Sequence, residues 1–332
     1  MTLKMTPECT TLPECATLKD IGFADIYLGE CGTWLSGGDI QLDPVPAPPS
    51  VLDELRALRE KCVEVGRESG KGEFAIRHEG VTFRASSMQT MNEMVYVLRR
   101  FPTTVPNLKD LGLHPGHVQR LMTHPMSGLV VIAGAFGQGK TTTASGMIVS
   151  RLAEYGGVCV TIEDPPEMPM EGRHGEGVCY QTWSEYGRFG EALRHAARWA
   201  PSIIFVGEVR DPETATEALR ASINGRLVVC TVHADNVISA VERLFSLAAG
   251  VAGTPEDVAS LMSKGLACVL HQRLEGQPKR PKIEMLFLRD EESTGAKNLI
   301  KVRRFEQLGS EITLQSNRLL FGSRMASEAQ SS

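Results

Sequence analysis

The 332-residue sequence holds no apolar run of the ~20 residues that a membrane-crossing helix needs. Nor does it open on a charged stretch followed by a short apolar segment of signal-peptide type. From these two absences we expect a cytoplasmic protein whose membrane association is peripheral. Eight cysteines fall at 9, 15, 31, 62, 159, 179, 230 and 268, and no two form a C-x-x-C pair. The spacing of a zinc site is therefore missing. Several lie in apolar runs, as Cys230 does after Leu227-Val-Val, and are read as reduced core thiols. A basic excess is missing as well. Thirty-five Lys and Arg against 40 Asp and Glu give a net charge of -5. With no basic field and no aromatic-basic stripe, no specific nucleic acid partner is expected. No internal repeat is evident. At 42% apolar and 23% charged the chain is neither disordered nor fibrous, and it is long enough for two domains.

What the sequence does contain is a complete phosphate loop, Gly134-Ala-Phe-Gly-Gln-Gly-Lys-Thr141. The apolar run Leu129–Ala133 before it reads as a buried strand, and Thr142–Leu152 after it as a helix. Gly134, Gly137 and Gly139 let backbone amides curl around a phosphate. Gln138 and Thr142 complete the expected nucleotide-binding stretch. The helix start adds unpaired N–H groups and positive dipole. Lys140 is suited to the β- and γ-phosphates, and the Thr141 hydroxyl to Mg2+. A nucleoside triphosphate, ATP with Mg2+, is the expected ligand.

Around the loop, Gly157–Ile162, Ile203–Val206 and Leu227–Val232 read as parallel strands covered on both faces. Each is followed by a polar cluster: Glu163-Asp164, Gly207-Glu208-Val209-Arg210-Asp211, and His233-Ala-Asp235. Strand C-terminal ends line the ligand crevice of a parallel sheet. The clusters offer carboxylates for metal and water and cations for developing charge. Asp211, ahead of Pro212, reads as a helix cap, and His195 and His271 as ordinary helical histidines. Thr254 starts a helix expected to carry Val258, Leu261, Leu266, Val269 and Leu270.

Toward the N-terminus the signals are weaker. Residues 1–16 read as poorly ordered. Ala24–Leu28 and Gly38–Leu42 read as short strands, and 43–49 as a proline-rich connector. Ser50 is placed to cap a helix bearing Leu52, Leu55, Leu58, Cys62 and Val65. Glu73–His78 and Val81–Ser86 form a hairpin. A small α/β domain then spans 17–103, a linker 101–106, a second domain 104–322 and a disordered tail 323–332.

These boxes resemble the signatures of the type II/type IV secretion ATPase superfamily (GspE/PulE-like). The phosphate loop matches the Walker A box, Thr161-Ile-Glu-Asp-Pro165 the aspartate box, Val206-Gly-Glu-Val-Arg-Asp-Pro-Glu213 the Walker B box and Thr231-Val-His233 the histidine box. Gly295-Ala-Lys-Asn-Leu-Ile-Lys301 is similar to a segment of PilT-type pilus retraction ATPases. With the DotB/TraJ-like ATPases of type IVB secretion and conjugation, these form the branch that the chain most resembles. The likeness runs over about residues 20–320. It implies an α/β fold with a PAS-like N-terminal domain and a RecA-like core, working as a homo-hexameric ATPase beneath an inner-membrane platform or secretion-channel protein. It further implies Glu163 as the water-activating carboxylate, Glu208 as the Mg2+-linked one, with those two roles open to exchange, and His233 as γ-phosphate sensor. Arg84 and Arg99 are implied as catalytic cations, with Arg77 a lesser candidate.

Two departures stand out. The histidine box begins Gly225-Arg226 where Gly-His is usual, so Arg226 is expected either to sense the γ-phosphate or to pair with a carboxylate. Ala135-Phe136 replace the usual Pro-Thr. The tetracysteine insertion of extension-type ATPases is absent. Set against this reading are a P-loop kinase, disfavoured for want of an Arg-rich lid, and a DNA translocase or helicase, disfavoured by charge. An inactive nucleotide-binding subunit is disfavoured by the retained Glu163 and Glu208.

Overall fold

The computed structural model describes residues 17–38, 44–70, 72–184 and 187–329. The expectations for residues 1–16 and for a strand over Gly38–Leu42 fall wholly or largely outside these. The chain divides into two compact units between Thr103 and Thr104. The irregular segment 101–107 spans the division.

The first unit is a six-stranded antiparallel sheet of PAS-like type. It comprises β1 (Asp25–Leu28), β2 (Thr33–Ser36), β3 (Val45–Pro46), β4 (Glu73–His78), β5 (Val81–Gln89) and β6 (Met94–Arg100), in the order β3-β2-β1-β6-β5-β4. One helix, α1 (Leu52–Ser69), buries Leu55, Leu58 and Cys62 with Ile26, Leu28, Phe83 and Leu98. Gly70, at φ 65°, closes it in the left-handed conformation that suits glycine. Ser50 does not cap this helix. It lies inside a 3-10 turn, Pro49–Val51, that runs straight into α1, so the helix needs no separate side-chain cap. Prolines 48 and 49 preset the φ of that turn.

The second unit is a RecA-like α/β core. Its strands are β7 (Gly128–Ala133), β8 (Gly157–Glu163), β9 (Gly172–His174), β10 (Gly177–Trp183), β11 (Ile203–Val206), β12 (Leu227–Val232), β13 (Leu266–Glu275) and β14 (Arg280–Phe287). The order is β14-β13-β7-β12-β11-β8-β10-β9, parallel through the middle with antiparallel strands at both edges. The helices are α2 (Pro115–Leu121), α3 (Lys140–Tyr155), α4 (Phe189–Arg198), α5 (Pro212–Ser222), α6 (Val237–Ala249), α7 (Pro255–Gly265), α8 (Thr294–Lys301) and α9 (Leu308–Ala329).

Alternation along β7 explains why every residue of that strand after Gly128 is apolar. Leu129 and Val131 pack with α4 to α8, while Val130 and Ile132 pack with α2 and α3. Each such fully buried aliphatic side chain contributes about 1.5–3 kcal/mol of transfer free energy. Cys62, Cys159, Cys179, Cys230 and Cys268 are buried free thiols.

Three expectations need correction. The helix begun at Thr254 stops at Gly265, and Leu266, Val269, Leu270 and His271 lie on β13. A continuous apolar run of this length fits a doubly covered strand as well as a helix, and periodicity alone cannot separate them. His271 is accordingly a buried strand residue opposite Glu284. Finally, α9 continues to Ala329 through the stretch expected to be a disordered tail. After Gly322 that stretch has no helix breaker, and Met325, Ala326, Glu328 and Ala329 are good helix formers.

Candidate nucleotide site

The phosphate loop connects β7 to α3 at the C-terminal edge of the parallel strands. Gly134 has φ 152°, and a Cβ there would stand 2.5 Å from the Gln272 carbonyl oxygen. Only glycine lets the chain turn this close to β13. Gly137, midway along the loop, has φ 70° and open space where a Cβ would stand. Its glycine therefore serves the left-handed backbone turn rather than a close approach. Gly139, at φ 75°, precedes α3 without a side-chain cap, and the helix's first turn carries no acidic residue. The first N–H groups of a 16-residue helix are thus left for an anion. Thr141 and Thr142 stand half-buried on that turn.

Two glutamines set the loop's shape. Gln272, on β13 and 2% exposed, donates from Nε2 to the Gln138 carbonyl at 2.6 Å and accepts from Thr143 Oγ1 at 2.7 Å. The Gln138 side chain accepts the Leu274 N–H at 2.7 Å. The loop therefore hangs from the far half of β13. Gln272 was not legible as a site residue, since its partners are more than a hundred positions away in sequence.

Lys140 is 8% exposed, and its Nζ donates to the Ala135 carbonyl at 2.8 Å. Burial pulls its pKa down, opposed by the carboxylates of Glu208 and Glu167. A buried ammonium held by one neutral carbonyl fits an anionic phosphate. Glu208 pairs with Arg210 and lies 3.3 Å from His233 Nε2. Burial lowers the His233 pKa despite that carboxylate. The Phe136 ring, 80% exposed, rests on the His233 ring with centroids 3.8 Å apart and lies 5.8 Å from Lys140 Nζ. Phe136 and His233, with Ala135, Asp235, Ser239 and Arg243, line an open cleft of about 390 Å3.

Glu163, at the end of β8, is 2% exposed, and burial pushes its pKa up to about 7. It packs against Gly207, where a Cβ would stand 3.3 Å from its Cγ. Gln181 Nε2 donates to Glu163 Oε1 at 3.0 Å. Asp164 accepts from Trp183 Nε1 at 2.9 Å, and Asp211 caps α5 by accepting the Thr214 N–H at 2.8 Å. Thus Lys140, Glu208, His233 and Phe136 come together, with Glu163 one strand away beside Gly207. Among the described residues no cluster of three or more His, Cys, Asp or Glu could hold a metal by itself.

Arg226 does neither of the things expected of it. It precedes β12 at the N-terminal edge of the sheet, and its Nη2 donates to the Ala197 carbonyl at 3.0 Å. The six residues of β12 separate it from His233, about 20 Å at strand rise. The sequence order of the histidine box hides that its two ends lie at opposite edges of the sheet. His195 lies on α4.

In the first unit Arg84 and Arg99 are direct partners across β5 and β6. Their side chains therefore share a face. Arg84 pairs with Glu73 at 2.8 Å, and Arg99 binds Asp25 with both Nε and Nη2, at 2.8 and 3.0 Å. Arg77 is exposed on β4.

The family model described as "Type II/IV secretion system protein" matches residues 68–297. The type IV pilus ATPase PilU of Pseudomonas aeruginosa is 32% identical over 246 residues, 69% of this chain and 62% of PilU. The chain thus spans less than two thirds of that relative. Among solved structures, the pilus retraction motor PilT with bound ADP superposes with a TM-score of 0.72 at 28% identity, covering 88% of this chain and 86% of PilT. The Legionella pneumophila ATPase DotB shares the fold, with a TM-score of 0.64 at 23% identity over 86% of this chain and 83% of DotB. Among the described residues no helix is long and apolar enough to cross a membrane. With its phosphate loop, its acidic strand ends and its RecA-like sheet, the chain belongs to the type II/IV secretion system protein family.

Proposed function

We propose that this protein is a Mg2+-dependent motor ATPase that works as a homo-hexamer at the cytoplasmic face of the inner membrane. There it drives a type IV pilus or a type IV (type IVB or conjugative) secretion machine through an inner-membrane platform or channel protein. The observation that carries this is the convergence at one sheet edge of a buried Lys140, a Glu208–His233 pair and a buried Glu163. Lys140 leaves the Ala135 carbonyl for phosphate, and the open amides of the loop and α3 bind the remaining phosphate oxygens. Mg2+, held by Thr141 and Glu208, neutralises phosphate charge when bound. Glu163 takes the proton of the attacking water, for which a carboxylate poised near neutral pH is well matched. His233, tied to Glu208, reads the presence of the terminal phosphate. Arg84 and Arg99 supply cations during turnover, and segment 101–106 absorbs the accompanying motion.

Release of inorganic phosphate from ATP without DNA or a second acceptor tests the enzymatic part. Lys140→Ala subunits mixed with wild type test assembly: activity should fall more steeply than by dilution. Native mass measurement with Mg2+-nucleotide should give six chains. A fully active monomer overturns the oligomeric part of the reading.

A further inference from the structure

Gln181 lies on β10, in parallel register with Thr161 of β8, and none of the sequence motifs includes it. Its side-chain amide is fully used. Oε1 accepts the N–H groups of Met170 and Glu171, both at 3.0 Å. Nε2 donates to the Met168 carbonyl at 2.7 Å and to Glu163 Oε1 at 3.0 Å. The orientation of this amide is not arbitrary. A flipped amide would set its NH2 against two N–H groups and its oxygen against a carboxylate and a carbonyl. The donor must therefore face Glu163.

We infer that Gln181 is a positioning residue for hydrolysis: its amide holds the Glu163 carboxylate in one orientation and locks it to the 168–171 segment. The inference rests on the proposed role of Glu163 as proton acceptor. Two effects on Glu163 oppose each other. Burial favours the neutral acid, whereas a donated hydrogen bond favours the carboxylate. The other groups acting on Glu163 are the Thr161 hydroxyl and the backbone and carboxylate of Glu167, while Glu163 itself helps to raise the neutral Cys159 thiol lower on β8. Gly207, just after β11, packs on Glu163 and is neutral. Glu171 is engaged by the Gln181 backbone N–H. Among these, the Gln181 Nε2–H is the side-chain amide donor from the neighbouring strand β10. Losing a hydrogen bond to a charged group should shift the titration upward by about one pH unit, a tenfold change in proton affinity.

Two variants separate positioning from plain structural anchoring. Gln181→Leu removes all four hydrogen bonds. Gln181→Glu keeps acceptors for the Met170 and Glu171 N–H groups but replaces the donor facing Glu163 with a carboxyl. Carboxyl 13C NMR on nucleotide-free protein follows Glu163, its resonance assigned by loss in Glu163→Gln. In both variants we expect the Glu163 titration to move up. We also expect kcat at pH 7 to fall about fivefold, recovering as pH rises, with KM for Mg-ATP unchanged. If Gln181→Glu titrates and turns over like wild type, Gln181 is only a structural staple and the inference is wrong. Should Gln181→Leu not fold, Gln181→Glu carries the test. A wild-type protein that does not hydrolyse ATP sinks the proposed function instead, and the NMR titration still decides the Gln181–Glu163 link.

Discussion

Gln272→Leu should loosen the phosphate loop at a calculable cost. Leucine keeps most of the side-chain volume, so the loss is mainly of hydrogen bonds. Two partners are abandoned, the Gln138 carbonyl and the Thr143 hydroxyl. Gln138 is half-buried and can turn to water, whereas Thr143 is 2% exposed. One buried hydroxyl without a partner costs about 1–3 kcal/mol, and Thr143 can bond back to its own helix, which favours the lower part of that range. A total of about 2 kcal/mol lowers the melting temperature of a unit of this size by roughly 4–8 °C. Calorimetry measures it, and Thr143→Val gives the control. In the Gln272→Leu background that second change should cost less than in wild type, because the hydroxyl it removes is already unpaired. A shift under about 1 °C, or additive costs, would show that Gln272 does not hold the loop.

Other outcomes follow from the same site. Lys140→Ala should fold normally and hydrolyse ATP at least about 100-fold more slowly, since electrostatic contacts of this kind are worth ~3 kcal/mol or more; near-normal phosphate release would remove Lys140 from the mechanism. Because burial raises Glu163 to about 7, kcat/KM should decline as pH falls through about 7. For stability the sign is reversed. A raised carboxyl pKa makes the folded state bind more protons than the unfolded state between about 4.5 and 7, so its ionisation costs stability as pH rises through that window and the cost is complete above it. Glu163→Gln should therefore stabilise the protein at pH 8 by up to about 3 kcal/mol and hardly at all at pH 4, measured by urea melts at both values. Phe136→Ala removes the ring that covers His233 and should move the His233 titration up toward the ordinary histidine value, read by NMR; an unchanged titration would mean the ring contributes nothing to the burial. Arg226→Ala should lose about 1 kcal/mol, the worth of its bond to Ala197, and leave turnover within about twofold; a tenfold loss would contradict the position of Arg226 far from the phosphate loop.

Local chemistry made the phosphate loop readable, because glycines, lysine and threonine act there within eight consecutive residues. The three parallel strands were equally plain, since a strand covered on both faces must be apolar throughout. Asp211 and Thr254 were readable as caps for a similar reason, each serving an N–H three residues on. The strand β13 was not readable beyond Gly265, where helix and buried strand demand the same side chains. Gln181 and Gln272 were silent because an amide gains its role only from what the fold sets opposite it. Arg226 misled by being next to a motif whose catalytic end lies one strand-length away.

The suspension of the phosphate loop from β13 ties it to the opposite end of the chain. β13 pairs along its length with β14. Near the end of β14, Phe287 exchanges two backbone hydrogen bonds with the buried amide of Gln315 on α9, at 2.8 and 2.9 Å. Also from β14, Glu284 accepts the N–H of Val237 at the start of α6. One hydrogen-bonded strand pair therefore holds the phosphate loop at one side and both α9 and the start of α6 at the other.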